Sequence, residues 1–194
     1  MKFLKDHLYD IIRIYINQIG ITILAFILST AVDQPGKTTL SSILLLVVSI
    51  FTILFYFVLL YTMGWDWGAN DIIRIESGKQ QRTPLKGMLL GLCANVINFA
   101  LAAACIITMI ITMNGNKTSE PFHDVFNLLL RFTNAMYIGI VKWMFLGFEG
   151  DLYLSYLLQS IAYFFFPFLS IGVTQLGYFL GLKNFKVFGS RKKA

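Results

Sequence analysis

Charge is scarce in this sequence: Asp, Glu, Lys and Arg make up 13% of its 194 residues, while hydrophobic residues make up 57%. A soluble globular chain carries about a quarter of its residues charged, so this balance excludes water as the main solvent. Histidine and cysteine are nearly missing, with His7, His123, Cys93 and Cys105 the full complement. The two cysteines fall inside one apolar run, without disulfide or metal-ligand spacing, and read as small, buried, reduced thiols. No metal site is predicted. Also missing are a phosphate-binding glycine loop, a nucleophile elbow and a histidine-centred pair on one side of a membrane. No catalytic residue and no cofactor are therefore predicted. Acidic residues are absent from the middle of every long apolar run, which argues against an ion-coupled carrier built on an intramembrane carboxylate.

What is present is apolar sequence in long runs. About 20 apolar residues suffice for a helix to cross the hydrocarbon of a bilayer, and residues 14–32, 40–63, 84–113 and 152–182 meet or approach that length. The predicted fold is an all-α integral membrane protein: one helical membrane domain over 1–194, with four transmembrane helices, a polar cytoplasmic loop at 64–83 and a basic tail at 183–194. Residues 1–13 place Leu4, Leu8, Ile11 and Ile12 on one helical face and Lys2, Lys5, Asp6 and Asp10 off it, which predicts an interfacial lead-in. The first run lacks a small-residue cleavage site and is read as an uncleaved anchor. Asp33-Gln34-Pro35-Gly36-Lys37 supplies turn chemistry, Tyr61, Trp65 and Trp67 are expected at headgroup level, and Thr83-Pro84 fits an N-cap and first helical position. Pro167 is expected to kink or divide the last span.

Orientation follows from Lys and Arg. Four crossings collect the basic residues of the opening segment, the 64–83 loop and the tail on the cytoplasmic side, with both termini, and leave Lys37, Lys117, Arg131 and Lys142 outside. A fifth crossing through 126–148 would move the tail outside and erase that bias. Residues 126–148 are therefore read as an amphipathic or re-entrant helix at the outer leaflet, and five transmembrane helices are the alternative. The formal charge of +6 then belongs to membrane topology, so anionic lipid headgroups, not nucleic acid, are the expected partners.

Three groups of residues are candidates for function. In the loop after the second span, Asp66, Asn70 and Arg74 share a face if helical, Asp71 comes within reach of Arg74, and Glu76 follows; these fit contact with a cytoplasmic partner. Arg131, Asn134 and Lys142 place polar groups within an apolar stretch, where cations snorkel or find anions, and fit an anionic ligand or lipid. Gly87, Gly91, Asn95 and Asn98 on the third span and Gly177 and Gly181 on the last allow close helix packing, within one subunit or between subunits. Asn17, Gln18, Gln159 and Gln175 join the two asparagines as helix-bonding groups or as a polar path. His123, beside Asp124 and near Glu120, reads as an exposed loop histidine.

The expected function is that of a non-enzymatic subunit or accessory protein of a bacterial inner-membrane assembly, as a homo-oligomer or in a larger complex. The alternatives are a small transporter or channel component and, behind it, a lipid-active membrane enzyme.

Overall fold

The structure is a computed structural model and describes residues 2–32, 38–79, 81, 83–115, 119–145 and 152–185. The turn expected at 33–37 and the tail beyond Phe185 lie outside the described residues. Within them all regular structure is helical: α1 (Lys2–Asp6), α2 (Leu8–Val32), α3 (Thr38–Glu76), α4 (Lys86–Met113), α5 (Glu120–Thr133), α6 (Ile138–Met144) and α7 (Leu152–Leu182), with a 3-10 turn at Ala135–Tyr137 before α6. Four of these, α2, α3, α4 and α7, are long and apolar enough to cross a membrane. A helix bonds its backbone internally, and in hydrocarbon no solvent substitutes for a missing partner.

Helix boundaries depart from the sequence reading in two places. The polar loop expected from residue 64 is helix as far as Glu76, because nothing between Gly64 and Glu76 removes a backbone donor. The helix stops where Gly78 adopts φ +70°, with Gly78 N–H donating to Ile75 O and Lys79 N–H to Arg74 O, a Schellman closure. The third long helix begins at Lys86, not at Thr83-Pro84. Its exposed first-turn donor, Met88 N–H, bonds Gln175 Oε1 from α7 at 2.8 Å, while Gln175 Nε2 donates to Pro84 O, so a side chain from another helix does the capping. Pro167 lies inside a continuous α7 and does not divide it.

The chain resolves into two compact units. The first comprises Met1–Ile14, Phe57–Ala94 and Phe168–Ala194. Its core includes Leu60, Leu90 and Tyr178, all fully buried. Here α3 and α7 approach backbone to backbone: a Cβ added at Gly68 would meet Tyr178 O, and one at Gly181 would meet Trp65 O. Gly64 and Gly177 make the same kind of approach. On α4, a Cβ at Gly87 would fall 2.8 Å from Tyr178 Cβ, and one at Gly91 would fall 3.1 Å from Ile171 Cα. The α4 glycines thus pack against α7, whereas the α7 glycines Gly177 and Gly181 pack against α3 and not against the small-residue face of α4. Tyr61 and Trp67, expected at headgroup level, are buried in the same unit.

The second unit comprises Tyr15–Tyr56 and Asn95–Pro167. The segment expected as one helix over 126–148 is broken at Asn134 into α5 and α6, of 14 and 7 residues; residues 146–148 lie outside the described residues. Asn134 ends α5 because its side-chain Nδ2 donates to Leu130 O and to Thr133 Oγ1, offering the backbone an alternative to the next helical turn. Thr22 Oγ1 bonds the terminal Thr133 carbonyl at 3.0 Å. Helix α6 is held against α3, with Gly139 N–H donating to Ser49 Oγ at 2.8 Å and no room for a Cβ beside Leu45 O. The Tyr137 and Phe166 rings stack 4.4 Å apart.

Between 28% and 33% of each candidate spanning window is buried. The remainder of each helix presents side chains such as Ile16, Phe51, Ile107 and Phe165 outward. Exposure to water would forfeit about 25 cal/mol per Å² of apolar surface, whereas lipid tails impose no such loss. Such a surface is compatible with a multi-pass membrane protein.

The glycine contacts give a direct test. Gly68→Ala or Gly181→Ala should lower unfolding stability in detergent by about 1–3 kcal/mol, as overpacking does. Gly20→Ala, where a Cβ meets nothing within 4 Å, should leave it unchanged or raise it by at most about 1 kcal/mol. Thermal unfolding of the three variants checks both directions.

Candidate functional site

The first unit contains a cavity of about 460 Å³ built from helix ends. Helix α1 and the residue after it contribute Asp6 and His7, and the first turns of α2 contribute Tyr9, Asp10 and Arg13. Asp66, Asn70 and Arg74 come from α3 at steps of four residues, which align side chains, Trp67 and Asp71 widen that face by a further step, and Lys86 opens α4. The four partner-contact candidates Asp66, Asn70, Asp71 and Arg74 are therefore brought together, and Glu76 is not among the lining residues.

The base of the cavity is a buried ion pair. Lys86 Nζ donates to both carboxylate oxygens of Asp71, at 3.1 and 2.9 Å, and the Tyr178 hydroxyl donates to Oδ2 at 2.9 Å. The two charged side chains are 3% and 6% exposed for Asp71 and Lys86, so each depends on the other for the solvation it has lost. Lysine in a first helical turn is also disfavoured by the helix dipole, a further reason for a carboxylate beside it. The reach of Asp71 to Arg74 expected from the sequence is not used: Asp71 turns inward to α4 and α7, and Arg74 is exposed. At the rim, His7 Nδ1 lies 3.4 Å from Asp10 Oδ2, a partly exposed contact; such pairs contribute about 0–1 kcal/mol.

With Asp71 and Lys86 neutralising each other, the rim carries Asp6, Asp10 and Asp66 against Arg13 and Arg74. Mixed charge of this kind suits a ligand or chain segment that presents both signs. It does not suit a metal ion, and among the described residues no three His, Cys, Asp or Glu side chains gather to hold one. Asp6, His7, Asp10, Arg13 and Lys86 were not read as part of this group. Lys86 is 15 residues from Asp71 in sequence, and its pairing carries no local signal.

The second unit holds the other candidates. Arg131 and Lys142 line one cavity of about 370 Å³ with Gln159 and Tyr163. Asn134 does not join them: it is fully buried and bonded to the end of α5, so the polar stripe expected to run from Arg131 to Lys142 is interrupted there. His123 is not an exposed loop residue. It sits on α5, 4% exposed, with Nδ1 3.7 Å from Cys105 Sγ, which in turn lies 3.2 Å from Ser160 Oγ. The amphipathic α5 turns this histidine inward.

Several of the polar positions read as a possible path are engaged locally, while Gln18 Oε1 and Asn98 Oδ1 are buried without a hydrogen-bond partner among the described residues. Asn98 Nδ2 donates to Asn95 Oδ1 along the same helix at 3.0 Å. Gln18 and Asn98 line a cavity of about 30 Å³, room for about one or two waters. Gln159 bonds Arg131 and Ser155, and Gln175 caps α4.

Comparison of the chain with protein-family models, curated proteins and solved structures found no match.

The ion pair sets an expected mutational pattern. Asp71→Leu alone should destabilise by about 3–5 kcal/mol, because Lys86 is left charged and buried. Adding Lys86→Met should recover much of that loss. A double-mutant cycle of unfolding free energies measures the coupling; additive losses would mean that the two charges act independently.

Proposed function

We propose that this chain is a non-enzymatic, multi-pass protein of a bacterial inner membrane and works by binding, as a subunit or accessory protein of a membrane assembly. The mixed-charge cavity of the first unit is its docking site. The observation that carries this reading is the arrangement of exposed carboxylates and guanidiniums around a buried, fully paired Asp71–Lys86 base. Such a rim selects by charge pattern, because a partner segment of wrong sign order places like charges together. In this reading both termini and the cavity face the cytoplasm, and α5 with α6 lies at or re-enters the opposite leaflet.

The competing functions have less support. Asp71, the most buried carboxylate of the cavity, already accepts bonds from Lys86 and Tyr178, so acid–base work there would first require breaking both. For transport, the polar side chains of the long helices would have to remain available to a solute, whereas Gln159 and Gln175 are committed to Arg131 and to the start of α4.

A photo-crosslinking residue in place of the exposed Asn70 tests the proposal in native membranes. The expected outcome is a discrete protein adduct whose yield falls at least about fivefold when Arg13→Glu and Arg74→Glu reverse the rim cations, as charge-pattern selection requires. Adduct yield unaffected by that reversal, or solute flux carried by liposomes holding this protein alone, would overturn it.

A further inference from the structure

We infer that the cavity of the second unit is a binding site for a phosphate-bearing anion. Its central group is Arg131, in the last turn of α5. The guanidinium is fixed from two directions: Nε donates to Asn127 Oδ1 at 3.1 Å and Nη2 to Gln159 Oε1 at 2.8 Å. The Tyr156 ring lies beneath it, 5.7 Å from Cζ to the ring centroid. Every one of these contacts is to a neutral group. Among the described residues Arg131 has no ion pair with a carboxylate, so its orientation is set while its charge is uncompensated.

A guanidinium held by two neutral acceptors still has N–H groups to offer, in a planar geometry that matches the oxygens of phosphate. Holding it in place beforehand also reduces the ordering cost when an anion arrives. The cavity adds a second cation, Lys142, from the last turn of α6, and the Tyr163 phenol from α7. Among the described residues no carboxylate lines it, in contrast to the cavity of the first unit, which holds both carboxylates and cations. The rest of the wall is Ile138, Val141 and Phe145. One part of the lining therefore suits an oxyanion and the other suits hydrocarbon.

Two sources supply that chemistry, an anionic phospholipid and free phosphate, and the apolar wall gives only the first something to bury. This inference does not rest on the docking role of the first cavity. Arg131 and Lys142 enter it through a shared cavity, whereas Asn134 has no part in it.

The test uses the full chain purified in detergent, with phosphatidylglycerol, diacylglycerol and inorganic phosphate as probes. Retained lipid is counted by native mass spectrometry and stabilisation is read by thermal unfolding. Phosphatidylglycerol should bind and raise the melting temperature, and diacylglycerol, which lacks the phosphate, should do neither. Arg131→Gln should weaken phosphatidylglycerol binding at least about tenfold, the scale set by loss of a charge-assisted contact. Lys142→Gln, at an exposed position, should weaken it by a smaller factor. Inorganic phosphate that competes with the lipid and stabilises the protein by itself would identify a free oxyanion as ligand and support the site. Equal binding of phosphatidylglycerol and diacylglycerol, or binding unchanged in both variants with no effect of phosphate, would overturn it.

Discussion

A carboxylate without water must have its compensation built around it, and in the first unit that requirement falls on Asp71. Lys86 from α4 and Tyr178 from α7 converge on it from two other helices. The convergence is possible because Gly64, Gly68, Gly177 and Gly181 let the backbones of α3 and α7 approach, and Gly87 admits the body of Tyr178 beside α4. Close packing and charge pairing are thus one constraint here: the glycines set the helix spacing at which a tyrosine hydroxyl reaches a carboxylate. The cavity above inherits its floor from that arrangement.

The second unit meets the problem of a cation in apolar surroundings differently. Arg131 is held by amide oxygens and an aromatic face, none of which cancels its charge. Neutral acceptors fix direction without neutralising, which leaves the cation able to attract an anion. In the first unit, Lys86 is neutralised by Asp71 and the remaining charges lie in the rim around it. The two cavities consequently differ in sign character: mixed in one, positive in the other.

The long helices were legible because an apolar run of sufficient length has few other uses. The continuation of α3 to Glu76 was not, because composition turns polar after Trp65 while helical geometry continues; the spacing of Asp66, Asn70 and Arg74 was the available signal, and Gly78 marked the true end. The glycines of α4 and α7 were visible as packing surfaces, but Gly64 and Gly68 resembled the start of a loop. Asp71 and Lys86 gave no local hint, since an ion pair across a helical hairpin has no fixed spacing. Asn134 was misread because its interval from Arg131 fits a helical stripe, whereas its amide ends the helix instead. His123 was misread because its polar neighbours Glu120 and Asp124 suggested a loop, and only the face turned toward Cys105 explains its burial.

The proposed four-crossing topology puts the first cavity and the C-terminal end of α7 on the same side of the membrane. Single cysteines at Asn70, Asn114 and Asn184, in a version lacking Cys93 and Cys105, test it by labelling intact cells with a membrane-impermeant thiol reagent. The predicted result is labelling of Asn114→Cys from outside, with Asn70→Cys and Asn184→Cys labelled only after permeabilisation. Labelling of Asn184→Cys in intact cells, with Asn70→Cys still protected, would contradict it, because the chain would then cross once more between α4 and the end of α7.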